Sequence, residues 1–467
     1  MRSEQDFLGR INLPDDYPFG IHTRRAEENF AFTAERLRPD LFAALIQVKQ
    51  AAAEANADAG LLDQELAAAI VAAGNEALGD ISAVLPAIHP LQGGAGTSTN
   101  MAVNELLANL ALRSLGHDFG TYDVLSPLDH VNLSQSTNDT YPTAVRIAVI
   151  RGLRKLHDSV EELLRRLQQK EKEFAGLLKV GRTQLQDAMP LSLGQEFSAW
   201  AEAMTRFRWR LDKAMDWVRE VNISGTAVGT GINADHGYRA AVIDRLRVRV
   251  EAPLTLSRNL VDATQNVDQL VEVSGLVRTG AVSVRKLAAD LRLLASGPRC
   301  GFGEIRLPEL QAGSSIMPGK VNPVMAEAAE QVCLHVAGGD GVIAAAAAAG
   351  NLELSQFLPL IAHTLLGNLE LFAGMAAALA RTVAGITAVP DRLRSNVENS
   401  FAVATLLTPT LGHDVMSAVV REAHENDCSV IQVIRRRELI SEEQLARLLT
   451  PGVMASPGLP LPEEEGS

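Results

Sequence analysis

The segment QAGSSIMPGKVNP (311–323) carries two serines, a lysine and an asparagine in a chain that is otherwise rich in helix-forming residues. The hydroxyls of Ser314 and Ser315, the ammonium group of Lys320 and the amide of Asn322 can each bind an anion or move a proton. The Met-Pro-Gly sequence between them is typical of a turn. The segment therefore predicts a loop that holds an anionic substrate and takes part in proton transfer.

Four further segments are rich in hydroxyls, amides and glycines: GGAGTSTNMAVNE (93–105), NLSQSTNDTYPT (132–143), GRTQLQDAMPLSLGQE (181–196) and GTAVGTGIN (225–233). The second and third precede long predicted helices, whose free N–H groups and partial positive charge favour a bound carboxylate or phosphate. Ordinary helix capping explains one Ser, Thr or Asn per helix. Several such residues in each of five segments favour a binding site assembled from loops.

Several classes of function fit the sequence poorly. It contains no GxxxxGK[ST] or GxGxxG nucleotide pattern and no HExxH zinc motif, and its three cysteines are widely spaced. We therefore expect neither a metal nor a cofactor. The net charge of −13 repels nucleic acid and anionic membranes. The N-terminus lacks an apolar targeting segment and no apolar run reaches membrane-spanning length, so we expect a cytoplasmic protein with no membrane partner.

Long helices are the elements that must position these loops. The 467 residues are 47% hydrophobic but only 4% aromatic, which favours closely packed helices over sheets. Apolar residues at alternating steps of three and four run from Leu153 to Leu167, from Phe197 to Val218 and from Leu260 to Ala295. The last of these predicts one helix of roughly 50 Å. Helices of this length need partner helices in the same chain or in other subunits.

The fold class that we predict is all-α, with a central bundle of long helices. Residues 1–135 form an N-terminal helical domain with substrate loops, and residues 136–390 form the helix-bundle domain that carries the 311–323 loop. Residues 391–467 form a small C-terminal helical domain. Its tail, TPGVMASPGLPLPEEEGS, is rich in proline and then acidic, and is expected to be flexible.

The segment Gly313–Pro323 resembles the signature of the aspartase/class II fumarase superfamily, and the other four segments resemble its remaining conserved regions in order and spacing. The resemblance runs from about Ile21 to Leu449. It implies a mostly helical subunit of three domains, which forms a homotetramer through its central helices and shares each active site between three subunits. It also implies reversible anti-elimination of ammonia or water from a small C4 dicarboxylate to give fumarate.

The resemblance implies that Ser314 is the general base. A serine can act as a base only if neighbouring N–H groups and the lysine charge stabilise its alkoxide. The alternative is a hydroxyl that only caps the following turn, which is the role we expect for Ser315. Met317 is expected to contribute packing and backbone to the loop. Glu327 is either a supporting partner of the site or an ordinary acid in the first turn of a helix.

The resemblance assigns substrate binding to nine residues: Arg25, Thr97, Ser136, Thr137, Asn138, Thr183, Gln184, Lys320 and Asn322. Lys320 and Asn322 are expected to bind one carboxylate. Thr97 and the two hydroxyls that precede Asn138 are expected to bind the carboxylate on which negative charge accumulates. Asn138 is expected to lie near the leaving group, and Thr183 and its neighbour to come from a second subunit.

The residue at position 184 bears on which group leaves. Fumarases that resemble this family carry GRTH, and their histidine is paired with the glutamate aligned to Glu327. Here the sequence is GRTQ, so the His–Glu pair cannot form. We therefore favour ammonia over water, and L-aspartate as the substrate, with fumarate hydration as the alternative. Arg24, Ala102 and Ser355 depart from the usual pattern and leave room for a lyase of a modified amino diacid.

Two other classes of function fit the sequence less well. The tripeptide Ala295-Ser296-Gly297 matches the one that cyclises in histidine and phenylalanine ammonia-lyases, but the present superfamily has a similar SGPR at this point. The superfamily also includes lens proteins without a catalytic role. The presence of Ser314 and Lys320 favours an enzyme.

Overall fold

Helices make up most of the computed structural model, which describes residues 1–454. The helices are α1 (Ile21–Asn29), α2 (Pro39–Asp58), α3 (Gln64–Gly79), α4 (Thr97–Ser114), α5 (Thr137–Glu173), α6 (Leu193–Trp217), α7 (His236–Val250), α8 (Leu260–Gln265), α9 (Asp268–Leu294), α10 (Val324–Ala348), α11 (Leu358–Ala384), α12 (Pro390–Asn399), α13 (Ala402–Leu411), α14 (His413–Glu425), α15 (Val430–Arg436), α16 (Glu442–Leu448) and α17 (Pro451–Met454). A π-helical turn spans Pro127–Val131. The mostly helical fold class is confirmed, and the tail beyond Met454 lies outside the described residues.

Short strands pair two by two between the helices. The strands are β1 (Arg2–Asp6), β2 (Gly9–Leu13), β3 (Leu178–Thr183), β4 (Gln186–Ser192), β5 (Glu220–Val221), β6 (Thr255–Leu256), β7 (Ile305–Arg306) and β8 (Thr387–Ala388). The pairs are β1–β2, β3–β4, β5–β6 and β7–β8, and only β5–β6 is parallel. The prediction of an unstructured polar loop over 181–196 is therefore wrong, because β3 and β4 form a hairpin that leads into α6.

The predicted apolar patterns hold for two of the three long helices. Every apolar position from Leu153 to Leu167 is buried in α5, which has 37 residues. The positions of the apolar pattern from Phe197 to Ala214 are likewise buried along α6, and Val218 is buried just after its end. The predicted single helix from Leu260 to Ala295 is wrong, because it breaks between α8 and α9. Asn266 adopts an extended conformation there and donates its side-chain amide to the Asp262 carboxylate at 2.7 Å. Short polar side chains of this kind favour helix ends over helix interiors.

The chain divides into two compact units. The first comprises residues 1–157, 209–281 and 334–373, and the second comprises residues 158–208, 282–333 and those from 374 onward. In the first unit α2 packs against α3, α4 and α7, and the fully buried alanines of α2 allow close approach. In the second unit the β3–β4 hairpin packs against α12 and α13. The division into three domains, with boundaries at 135/136 and 390/391, stays a prediction.

Helices α10 and α11 are long and apolar enough to cross a membrane by length and composition. The apolar stretch from Leu360 to Leu379 predicts a long helix where α11 is found, but isolated charged residues such as Asp340 and Glu370 interrupt the apolar runs, so the sequence did not predict a membrane-spanning length for either helix. A helix in a protein core has the same composition, and α11 buries one side fully through Ile361, Leu365 and Leu369. Two such helices are weak evidence for a membrane, and the expectation of no membrane partner stays a prediction.

A buried ionic cluster holds the β3–β4 hairpin in the second unit. The fully buried carboxylate of Glu304 accepts a hydrogen bond from Arg182 at 2.7 Å and one from Asn396 at 3.0 Å. It also lies 3.3 Å from the buried ammonium group of Lys179, which is paired with Glu196. Burial alone would raise the pKa of the Glu304 carboxyl, but the two cations outweigh it and the pKa is lowered.

We predict that Glu304→Gln lowers the free energy of unfolding by about 3–5 kcal/mol, because it leaves buried cations without their carboxylate. A carboxylate with a lowered pKa stabilises the fold above its unfolded pKa of about 4.3, and this contribution is lost as the pH falls through the folded pKa. Urea unfolding should therefore show a difference between wild type and variant that is large at neutral pH and shrinks in acid. The exposed Glu443→Gln is the control, and a pH-independent difference would contradict the prediction.

Candidate active site

The hydroxyl of Ser314 receives two backbone hydrogen bonds within the 311–323 loop. Its Oγ accepts the N–H of Ile316 at 3.2 Å and the N–H of Met317 at 2.9 Å. Two converging N–H groups stabilise negative charge on this oxygen, as an alkoxide requires. The same contacts also describe a hydroxyl that caps a turn. The geometry is thus compatible with Ser314 as a general base and with Ser314 as a turn-capping hydroxyl.

Backbone contacts close the base of this loop. The N–H of Gly313 donates to the carbonyl of Lys320 at 2.8 Å, and the side-chain amide of Asn322 donates to the carbonyl of Gly313 at 2.7 Å. A Cβ atom on Gly313 would lie 2.6 Å from that Lys320 carbonyl oxygen. Only glycine therefore permits the closure. One N–H group of the Asn322 amide is used in the closure, which leaves its second N–H and its carbonyl oxygen for a ligand.

Three other residues of interest lie on or beside this loop. Lys320 is exposed, and within residues 1–454 no side chain forms an ion pair with its ammonium group. The backbone of Met317 donates to Ser314 and accepts the Lys320 N–H at 3.3 Å, while its side chain is 47% exposed. Glu327 lies in the first turn of α10, 3.8 Å from the guanidinium group of Arg292. This position fits both roles predicted for Glu327, a supporting partner of the site and an ordinary acid in the first turn of a helix.

Thr97 and the Ser136–Asn138 segment lie at the N-termini of two contacting helices in the first unit. Thr97 begins α4, is exposed, and donates its hydroxyl to the Gly94 carbonyl at 2.7 Å. Thr137 begins α5. The two helices meet where the ring of Tyr141 packs on Gly96, so closely that a Cβ atom on Gly96 would lie 2.6 Å from the ring. The structure therefore packs the N-terminus of α4 against the first turns of α5; that their hydroxyls share one anion stays a prediction.

The side chain of Asn138 has a defined orientation. Its Nδ2 donates to the carbonyl of Ala227 at 2.7 Å, and its backbone carbonyl accepts the side-chain amide of Asn222 at 2.8 Å. A carbonyl oxygen only accepts hydrogen bonds, so the atom of Asn138 that faces Ala227 must be the nitrogen. The Oδ1 atom then points away from Ala227 as an available acceptor.

A buried polar network beneath these helix ends was not predicted. The Oδ1 atom of Asn132 accepts from Lys49 at 2.8 Å and from Asn100 and Asn104 at 3.2 Å each. Burial lowers the pKa of the Lys49 ammonium group to about 7. Burial also raises the pKa of the nearby Asp139 carboxyl to about 6. The available signal in the sequence was a lysine in the otherwise apolar helical stretch IQVKQAAAEAN.

Thr183 and Gln184 lie at the exposed tip of the β3–β4 hairpin in the second unit. Thr183 pairs with Gln186, so Gln184 and Leu185 form a two-residue turn in which both residues have positive φ, 55° and 63°. Glycine or asparagine usually occupies such positions, and other side chains are strained there. Strain of this kind is often found at functional sites, where surrounding contacts maintain it.

Arg25 on α1 is already paired in this chain. Its guanidinium donates to both carboxylate oxygens of Asp6, at 2.7 and 2.8 Å. The guanidinium beside Asp6 lowers the pKa of that carboxyl. Arg25 can bind a substrate carboxylate only by sharing or losing this partner. Its role in substrate binding stays a prediction.

A small cavity lies beside Asn138 in the first unit. Its volume is about 10 Å³, room for about one water molecule, and Arg146, Thr264 and Ser355 are among the residues that line it. Ser355 is 2% exposed, and its hydroxyl has no partner among the described residues. Burial lowers the pKa of Arg146 to about 10, and its guanidinium donates to Gln269. Of the sequence departures, Ser355 is thus the one that lines this cavity together with Asn138.

The sequence matches a family model described as lyase over residues 9–338, and one described as the C-terminus of fumarase C over residues 403–456. It is 42% identical to the aspartate ammonia-lyase of Helicobacter pylori (strain J99) over 460 residues, which cover 98% of both chains. Identity to the aspartate ammonia-lyase of Bacillus subtilis (strain 168) is 42% over 459 residues, which cover 98% of this chain and 97% of that one.

Solved structures of a fumarate lyase and of a fumarase have a similar fold. The cobalt-bound fumarate lyase:delta crystallin from Brucella melitensis superposes with a TM-score of 0.94 and 43% identity, covering 98% of this chain and 100% of that one. The class II fumarase of Schistosoma mansoni superposes with a TM-score of 0.89 and 32% identity, covering 98% of this chain and 99% of that one. Sequence and fold are thus similar to lyases over nearly the whole length.

We predict that Gly313→Ala opens the base of the 311–323 loop, because its Cβ atom would displace the Lys320 carbonyl. Hydrogen exchange over residues 313–322 should become faster, by an amount that corresponds to about 1–3 kcal/mol of lost local stability. Gly341→Ala on α10 is the matched control, because a Cβ atom there meets open space. Unchanged exchange in Gly313→Ala would show that the loop tolerates a side chain at this position.

Proposed function

The chain belongs to this lyase family, and from that premise we propose that it catalyses the reversible elimination of ammonia from L-aspartate, or a close analogue, to give fumarate. The observation that carries the proposal is the 42% identity to aspartate ammonia-lyases over 98% of the chain. The glutamine at position 184 supports it, because the His–Glu pair of the fumarase pattern cannot form.

The reaction poses a specific electrostatic problem. A base removes a proton from the carbon beside a carboxylate, and the electron pair moves into that carboxylate to give an aci-carboxylate dianion. When the pair returns, the carbon–carbon double bond forms and the carbon–nitrogen bond breaks, releasing ammonia. The proton can leave only if fixed hydrogen-bond donors stabilise the dianion that its loss creates. Hydroxyls, amides and backbone N–H groups can do this without adding a charged partner.

Ser314 is the proposed base. The N–H groups of Ile316 and Met317 that point at its Oγ support an alkoxide, and Lys320 in the same loop adds positive charge. Lys320 and Asn322 are the proposed partners of one substrate carboxylate. The loop is suited to closing over the substrate, because its base is held by Gly313 while its tip is exposed.

The other carboxylate, on which the charge accumulates, is proposed to lie against Thr97, Ser136 and Thr137. Two of these residues begin helices, so their hydroxyls come with free N–H groups and the positive end of a helix dipole. Asn138 is proposed to contact the leaving amine. Thr183 and Gln184 are proposed to approach from another subunit at a hairpin tip that is exposed in the single chain.

We propose that four copies assemble through their long helices. Large apolar side chains are exposed on α9 and α10, including Val282 at 63%, Leu334 at 51% and Val342 at 43%. Exposed apolar residues on helices of this length favour a helix-to-helix interface with other copies. Active sites shared between three subunits are part of the same proposal.

Two alternative functions retain support. Hydration of fumarate is supported by the fumarase C model at the C-terminus and by the likeness to the class II fumarase. A lyase of a modified amino diacid is supported by the departure from the superfamily pattern at Ser355, which lines the cavity beside Asn138.

We predict that ultraviolet absorbance of fumarate rises when the protein is mixed with L-aspartate, and rises far more slowly with L-malate. The reverse reaction should consume fumarate only when ammonia is present. A rise with L-malate alone would favour the hydratase. Turnover of neither compound would point to the modified substrate.

Ser314→Ala should lower kcat for L-aspartate by about 10²–10⁴-fold, the usual contribution of a positioned base. Oligomeric state and melting temperature should stay unchanged, because the hydroxyl is not part of the core. Ser315→Ala is the matched control and should retain near-normal turnover. A Ser314→Ala enzyme of normal rate would mean that another group removes the proton.

Lys320→Ala should raise KM for L-aspartate by about 10–100-fold, the loss expected for one charge-assisted contact. The reason is that its ammonium group is free to bind a carboxylate. Lys213→Ala, a substitution of another exposed lysine, should leave KM unchanged. An unaltered KM in Lys320→Ala would argue against the carboxylate role.

A further inference from the structure

The segment Asn222–Asn233, which carries no predicted catalytic residue, is attached to the Ser136–Asn138 segment at three points. The Ala227 carbonyl accepts the Asn138 side-chain amide, and the Asn222 side chain donates to the Asn138 backbone carbonyl. The third point is Asp139, whose Oδ2 accepts the N–H of Thr226 at 2.9 Å and whose Oδ1 accepts the N–H of Ser136 at 3.0 Å. Asp139 is fully buried, so water cannot substitute for these contacts.

The backbone of this segment is held in a costly conformation. Ser224 and Thr226 both have positive φ, 70° and 57°, which non-glycine residues rarely adopt. The N–H of Gly231 donates to the Gly225 carbonyl and closes the segment on itself. Strained residues persist only where surrounding contacts determine them. The strained turn places the Ala227 carbonyl against Asn138.

We propose that the Asn222–Asn233 segment, with Asp139 as its positioning residue, sets the Asn138 amide so that the site accepts an ammonium group in preference to a hydroxyl. The proposal rests on the proposed function, in which Asn138 contacts the leaving group. Because Ala227 binds one N–H of the Nδ2 atom, the Asn138 amide cannot turn by 180° to exchange its nitrogen and oxygen, and Oδ1 stays in place as the acceptor for the substrate.

The chemistry of the two leaving groups makes this orientation selective. The ammonium group of an amino acid has only N–H donors and a positive charge, so it binds the Oδ1 acceptor well and is repelled by an NH₂ group. A hydroxyl both donates and accepts, so it can bind either end of the amide. Loss of the fixed orientation therefore weakens an ammonium-bearing ligand and is nearly neutral for a hydroxyl-bearing one.

The test measures dissociation constants of L-aspartate, L-malate and succinate by calorimetry on the full-length protein, in the Ser314→Ala background so that L-aspartate is not consumed. Asp139→Asn replaces one carboxylate oxygen by an NH₂ group, which cannot accept a hydrogen bond, so the N–H of either Thr226 or Ser136 loses its acceptor. It should weaken L-aspartate binding about tenfold and change L-malate and succinate binding by less than about twofold. Asp123→Asn, at an exposed aspartate of the same unit, is the matched control and should change none of the three.

Thr226→Gly provides a second variant if Asp139→Asn does not fold. It keeps the backbone hydrogen bonds of the segment, but glycine widens the range of conformations open to the turn, and a selective loss of L-aspartate affinity is again expected. An equal loss for all three ligands would show a purely structural role and overturn the proposal, as would unchanged L-aspartate affinity in both variants. Failure of the parent protein to bind or turn over L-aspartate would instead overturn the proposed function.

Discussion

The buried carboxylate of Asp139 is the contact on which the candidate site depends. It lies in the first turn of α5, the longest helix, and joins the segment ahead of that helix to the Asn222–Asn233 segment. Burial raises its pKa to about 6, yet two N–H donors stabilise the charged form. Lys49 is buried nearby and contributes a favourable charge interaction. This carboxylate therefore adds to the contacts of Ala227 and Asn222 that hold Asn138 and fixes the backbone at Ser136.

The proposed chemistry sits at the ends of long helices for a physical reason. A helix buries its own backbone hydrogen bonds and leaves free N–H groups only at its first turn, so a rigid helix carries a fixed set of donors at its N-terminus. α4 and α5 bring two such ends into contact through Gly96 and Tyr141. The apolar sides of the helices supply stability, and their ends supply donors for an anion.

In the second unit the predicted site residues are positioned by different means. The 311–323 loop has no helix to hold it, so backbone contacts at Gly313 and Asn322 close its base. The hairpin that ends at Thr183 and Gln184 is held by the buried cluster around Glu304. Both elements therefore combine a rigid base with an exposed tip, an arrangement suited to contact with a substrate or another subunit.

The sequence by itself determined the helical class and the apolar sides of α5 and α6, since these follow from neighbouring residues. Its short motifs also supplied the residues of the proposed site. Tertiary structure alone decided the break before α9, the β3–β4 hairpin, the burial of Lys49 and Asp139, and the orientation of Asn138. The partners that fix Asn138 lie 84 and 89 positions away along the chain. Local periodicity carries no information about such partners, because hydrogen bonds between distant segments form only once packing has brought those segments together.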